Sequence, residues 1–90
     1  MKIQMKKFGE LLISRPQGKD AFAQTKAYII TGKEKKIILD FKGIKVLTPS
    51  WADEFITKLH EIFADKLAFI NINNSSVKAS LNLLKKYSFR

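Results

Sequence analysis

The sequence predicts an α/β fold, a small mixed four-stranded sheet with three helices against it, in the order β-β-α-β-α-β-α. Three observations carry this. Residues 37–41 (Ile-Ile-Leu-Asp-Phe) and 67–72 (Leu-Ala-Phe-Ile-Asn-Ile) are short, nearly unbroken apolar runs of the kind that central strands show. Between them Ala52, Phe55, Ile56, Leu59, Ile62 and Phe63 recur at helical spacing, which gives a helix over about 50–64 one broad apolar face. A strand, a helix and a second strand in this sequence make a parallel crossover, and such crossovers are right-handed.

The remaining elements follow from the N-terminus. Lys2-Ile3-Gln4-Met5-Lys6 alternates with a period of two, and Gly9 offers a turn into the apolar run Leu11–Ile13. This predicts a hairpin of residues 2–6 onto about 10–14. Arg15-Pro16-Gln17-Gly18 reads as the end of that hairpin, because proline cannot donate to a ladder. A first helix is expected over about 19–31, with Phe22, Thr25 or Lys26, and Ile29 inward and Gly32 as its stop. The charged connector Lys33–Lys36 leads to the strand at 37–41, expected to be covered on both faces. Residues 42–49 cross the protein and bury part of Ile44, Val46 and Leu47. Ser50-Trp51-Ala52-Asp53 has the spacing of a capping box and should start the second helix. After the strand at 67–72, Asn73-Asn74-Ser75-Ser76 supplies caps for a last helix with Val77, Leu81 and Leu84 inward and Lys78, Asn82 and Lys85 in water. One domain over residues 1–90 accounts for the chain, and no internal repeat competes with it.

Composition narrows the function. At 90 residues, with 46% hydrophobic residues, the chain can support one core but no separate catalytic domain. The absence of cysteine removes disulfides, thiolate nucleophiles and Cys-based zinc sites, and suits a reducing compartment. No apolar run is long enough for a signal-peptide core or a membrane span, so a cytoplasmic location without membrane insertion is expected. The formal charge of +9 favours polyanionic or acidic partners without choosing among them. Only two of the seventeen basic residues are arginine, and they are scattered, which suits a solvated surface better than base reading. Nonspecific nucleic-acid binding is therefore the minor alternative.

No phosphate-loop pattern is present, and His60, without a second histidine or any cysteine, supplies no ordinary zinc site. No metal or cofactor is expected, and no nucleophile, base and orienter stand together. Asp53 and Glu54 suit the positive start of a helix, while Asp40 at a strand end suits loop amides as a structural polar residue. A small enzyme would have to bring Asp40, Arg15, Asp53 or Glu54 together, and this is the second alternative. Trp51, at a helix start after the carboxyl end of a strand, occupies a place where α/β domains present ligand and partner sites.

Residues 37–63, IILDFKGIKVLTPSWADEFITKLHEIF, together with FGELLISRPQG at 8–18, resemble the STAS-like family of small bacterial proteins, related in pattern to anti-sigma-factor antagonist domains. The likeness extends over nearly the whole chain. It implies a noncatalytic regulatory or adaptor module whose partner is a protein, such as a histidine-kinase-like ATPase or a serine kinase. It also implies that Ser50, at the helix start, is a candidate phosphoacceptor. Partner contacts are then expected from Arg15, Ser50, Trp51, Asp53 and Glu54, with Trp51 as apolar anchor, Asp53 and Glu54 as charged rim, and Arg15 pairing with Asp40 or Asp53. A monomer or weak homodimer is expected, since Lys2, Lys6 and Lys7 oppose indiscriminate edge pairing.

Overall fold

The computed structural model describes residues 1–89. Strands β1 (Lys2–Gln4), β3 (Ile37–Asp40) and β5 (Leu67–Ile70) form a parallel sheet in the order β1-β3-β5. Strands β2 (Leu11–Leu12) and β4 (Val46–Leu47) form a second, two-stranded parallel sheet. Among the described residues three helices complete the fold: α1 (Arg15–Tyr28), α2 (residues 49–63) and α3 (Ser75–Tyr87).

The α/β class holds, but the mixed four-stranded sheet and the N-terminal hairpin do not. After β1 the chain enters a tight 3-10 turn at Met5–Phe8 that buries Met5, and Gly9, at φ 113°, redirects it. Residues 11–12 consequently run beside Val46–Leu47 instead of returning along β1. β1 pairs with β3 (Ile3 opposite Leu39), whose apolar run takes a neighbour on each edge.

Helix α1 begins four residues earlier than its apolar pattern suggests. The Gln17 amide donates to Ser14 Oγ at 3.3 Å, and the Ser14 amide donates to Gln17 Oε1 at 3.4 Å, closing a capping box. Pro16 then falls in the first turn, where its missing N–H has no helical acceptor to lose. Arg15-Pro16-Gln17-Gly18 therefore opens a helix. The buried residues of α1 are Gly18, Ala21 and Thr25, while Phe22 and Ile29 are half-buried against the core. A stripe of small residues lets α1 lie close on α2.

Helix α2 is capped by Thr48, not by Ser50. Thr48 Oγ1 accepts from the Trp51 amide at 3.3 Å, and the Thr48 hydroxyl donates to the Ile13 carbonyl. Pro49 is the first helical residue, which moves the cap two positions ahead of Ser50. Between Asp53 and Thr57 the helix widens into a π-turn before resuming as Lys58–Phe63.

The outer edge of β4 is closed by α3. Asn74 caps α3, accepting from the Ser76 and Val77 amides, and its Nδ2 donates to the Lys45 carbonyl at 2.9 Å. The Leu47 amide donates to Ser76 Oγ at 3.1 Å, and the buried Ser80 hydroxyl donates to the Leu47 carbonyl at 2.7 Å. Side chains thus satisfy backbone groups that another strand would otherwise take, so no further strand adds at the β4 edge.

The helices pack on one another, α1 on α2 and α2 on α3. They lie on the sheet face that carries Ile3, Ile37, Leu39 and Leu67, all buried. The opposite face carries the paired rows Lys2, Ile38, Ala68 and Gln4, Asp40, Ile70. Lys2, Gln4 and Ile70 there are exposed and Ile38 and Ala68 half-buried. Among the described residues β3 is thus covered by helices on one face only, not two. No helix among the described residues is long and apolar enough to cross a membrane.

Candidate functional site

The first turn of α2, the start of α1 and the C-terminal half of α3 meet around a shallow groove of about 220 Å³, lined by Arg15, Pro49, Ser50, Asp53, Leu83 and Tyr87 among others. The capping box at Ser14 makes Arg15 the first helical residue of α1, which aims its side chain across at α2. Arg15 Nη1 donates to Asp53 Oδ2 at 3.0 Å and lies 3.8 Å from Glu54 Oε2. Arg15 and Asp53, 38 positions apart, thereby tie the two helix starts together. The pair is partly exposed, so it fixes geometry more than it stabilises.

Because Thr48 takes the capping role, the Ser50 side chain is exposed in the groove beside this ion pair. Trp51 behaves differently. It is 1% exposed, stacks on Phe55 with ring centroids 5.0 Å apart, and is met by Phe8 at 6.1 Å. The indole belongs to the core beneath the first turn of α2, so the expectation of an exposed apolar anchor at Trp51 is corrected. The groove's apolar surface comes instead from Leu83 and Tyr87, 44% and 57% exposed, one turn apart on α3. Sequence reasoning missed both. The available signal was that they are left over on α3 once Val77, Leu81 and Leu84 are assigned inward.

Asp40 lies elsewhere, at the carboxyl end of β3 on the helix-free face. Its Oδ1 accepts from Asn71 Nδ2 at 2.7 Å and from the Lys42 amide at 3.0 Å, and Lys2 Nζ is 3.4 Å from its Oδ2. The Asn71 hydrogen bond, then the Lys42 amide, hold its carboxyl below the usual range against the opposing effect of burial; Lys2 adds to the lowering. Asn71 reaches it from a left-handed backbone (φ 56°), a conformation asparagine tolerates. Asp40 lines a separate cleft of about 290 Å³ with Gln4, Lys6, Lys42 and Gly43, and Arg15 and Asp53 line the groove. The arrangement imagined for a small enzyme, with these groups around one centre, is not formed there. A carboxylate held ionised by its partners is also a weak proton acceptor.

His60 is half-buried and stacks on Phe89 with ring centroids 4.0 Å apart. Among the described residues no group of three or more His, Cys, Asp or Glu could hold a metal ion.

The family model described as a STAS-like domain of unknown function (DUF4325) matches residues 21–77. The chain belongs to this family. The matched part of the STAS-like domain runs from within α1 to the first turn of α3 and holds Ser50, Asp53 and Glu54. Arg15, Leu83 and Tyr87 lie outside it, so the groove of this STAS-like chain joins residues within the matched segment to residues beyond it. No curated protein and no solved structure gives a significant match.

Proposed function

We propose that this STAS-like domain is a noncatalytic regulatory or adaptor module that docks a protein partner, of the ATPase or kinase type, at the groove between α2 and α3. One observation carries the reading: exposed Leu83 and Tyr87 stand beside exposed Ser50 and the Arg15–Asp53 pair. An apolar patch rimmed by charges is the usual anatomy of a partner contact. Ser50 is the phosphoacceptor in this reading. A phosphate there adds about two negative charges next to Arg15 and competes with Asp53 for its guanidinium. Loss of the Arg15–Asp53 tie then frees the first turn of α2, which changes the surface the partner reads. Trp51 serves from below, holding that turn against the core.

A photo-crosslinking residue at position 87, introduced in host cells, tests the docking site. The expected result is one dominant cross-linked protein, lost with Leu83→Asp and weakened about tenfold by Ser50→Glu, a difference of about 1.4 kcal/mol. Cross-links to no protein above background would refute the reading. Capture of nucleic acid alone, released steeply by salt, would favour nonspecific phosphate contact instead.

A further inference from the structure

The helix-free face of the β1-β3-β5 sheet is a second feature of the molecule, separate from the α2–α3 groove. All-parallel sheets are almost always covered by helices on both faces, because their strands are apolar on both sides. Here β3 presents Ile38, and β5 presents Ala68 and Ile70, to a side on which this chain places no helix among the described residues. Ile70 is 36% exposed.

The surroundings of this face are basic. Lys2 stands on it, Lys36 and Lys66 immediately precede β3 and β5, and Lys6 and Lys42 stand past the carboxyl ends of β1 and β3. Of the carboxylates, Asp40 lies on the face but is held by Asn71, the Lys42 amide and Lys2, Glu10 is paired with Lys6 at 3.5 Å and with Lys45 at 3.2 Å, and Asp65 adjoins Lys66. An occupant must therefore be apolar along its centre and acidic at its sides. Its width is also set. Three strands about 4.8 Å apart span about 10 Å between the outer two, which is about the diameter of one helix.

We propose that this face is a docking surface for one acidic amphipathic helix of a partner protein, which supplies the missing helical layer. Its apolar stripe covers Ile38, Ala68 and Ile70, and its flanking carboxylates meet Lys36, Lys42 and Lys66, which, unlike Lys2 and Lys6, make no ion pair among the described residues. A second copy of the chain fits less well, since it would bring a second charge of +9 against the first.

The probe is a synthetic helical peptide of about 18 residues, about 27 Å long, with leucines at every third and fourth position and glutamates flanking them. Amide shifts of the labelled protein are followed during titration. Saturable changes centred on Lys2, Gln4, Ile38, Ala68 and Ile70 are expected, with affinity falling about tenfold for Ile70→Glu and for Lys42→Glu. Leu83→Asp, in the α2–α3 groove, leaves this binding unchanged, so the two surfaces fail or succeed separately. Ile70 and Lys42 are exposed, so these variants keep the fold, which the unchanged shifts of the core amides will verify. The proposal is overturned by an absence of binding, by changes confined to the groove, or by equal binding of a peptide with lysine in place of glutamate. A concentration-dependent dimer abolished by Ile70→Glu would also overturn it, by making the occupant a second copy.

Discussion

Gly18 of α1 lies directly over the backbone of Trp51 in α2: a Cβ at position 18 would stand 2.5 Å from the Trp51 carbonyl oxygen and 3.0 Å from its Cα. The atoms in the way are main chain and cannot rotate aside. Both helix starts that frame the groove are therefore set by the absence of a side chain at one position. Gly18→Ala improves local helix propensity by about 1 kcal/mol but forces the two helices apart, at a cost of about 1–3 kcal/mol or more. The close contact wins, so a lower urea midpoint is expected, together with shift changes at Arg15 and Asp53. A midpoint at or above that of the parent would show that the helices separate freely.

Thr48 and Ser50 both precede or open α2, but only Thr48 caps it. Thr48→Ala should cost about 0.5–2 kcal/mol, while Ser50→Ala should change stability by less than about 0.5 kcal/mol. Parallel denaturation of the two variants decides the matter. Equal losses would restore Ser50 to the cap.

Asp40 gives the fold an acid-sensitive contribution. Its folded-state pKa lies below the unfolded value, through Asn71 first and then the Lys42 amide. The stabilisation is therefore complete above the unfolded pKa of about 4 and is lost as pH falls through the lower folded value. Glu10, through Lys45, and Glu34, through the Thr31 amide, are shifted in the same direction and persist when Asp40 is replaced. Urea midpoints should be insensitive to this group from about pH 5 to 8 and decline below about pH 4, and Asp40→Asn should make that decline shallower. An identical acid slope in the variant would remove Asp40 from the account.

Ala64, just past α2, holds φ 50° and ψ −122°, a conformation that suits glycine and strains any residue with a Cβ. Ala64→Gly relieves that strain and adds freedom to the unfolded chain, and the first effect is the larger. A net gain of about 1 kcal/mol is expected, read as a rise in Tm by calorimetry. A lower Tm would show that the turn is relaxed with alanine in place.

Much of the fold could be read along the chain because it rests on local patterns. The apolar runs at 37–41 and 67–72 became the paired strands β3 and β5, and Phe55, Ile56, Leu59 and Phe63 became the buried face of α2. The start of α1 was legible too, in Ser14 and Gln17, but Pro16 masked it by reading as a terminator. The groove was half legible. Polar Arg15, Ser50 and Asp53 drew notice by their chemistry, while Leu83 and Tyr87 looked like ordinary helix residues until α3 was placed beside α2.

The sequence by itself determined the α/β class, the family, the positions of the three helices to within a few residues, and the lack of cysteine chemistry, because each follows from residue types and their spacing. Tertiary structure alone decided that β1 pairs with β3, that β2 and β4 make their own sheet, that Trp51 is core while Leu83 and Tyr87 are surface, and that one sheet face carries no helix among the described residues. Strand partners and exposure depend on contacts between residues distant in the chain, such as Leu12 with Leu47 or Gly18 with Trp51. A short strand's local pattern is the same whichever partner it takes, so only the packed whole distinguishes them.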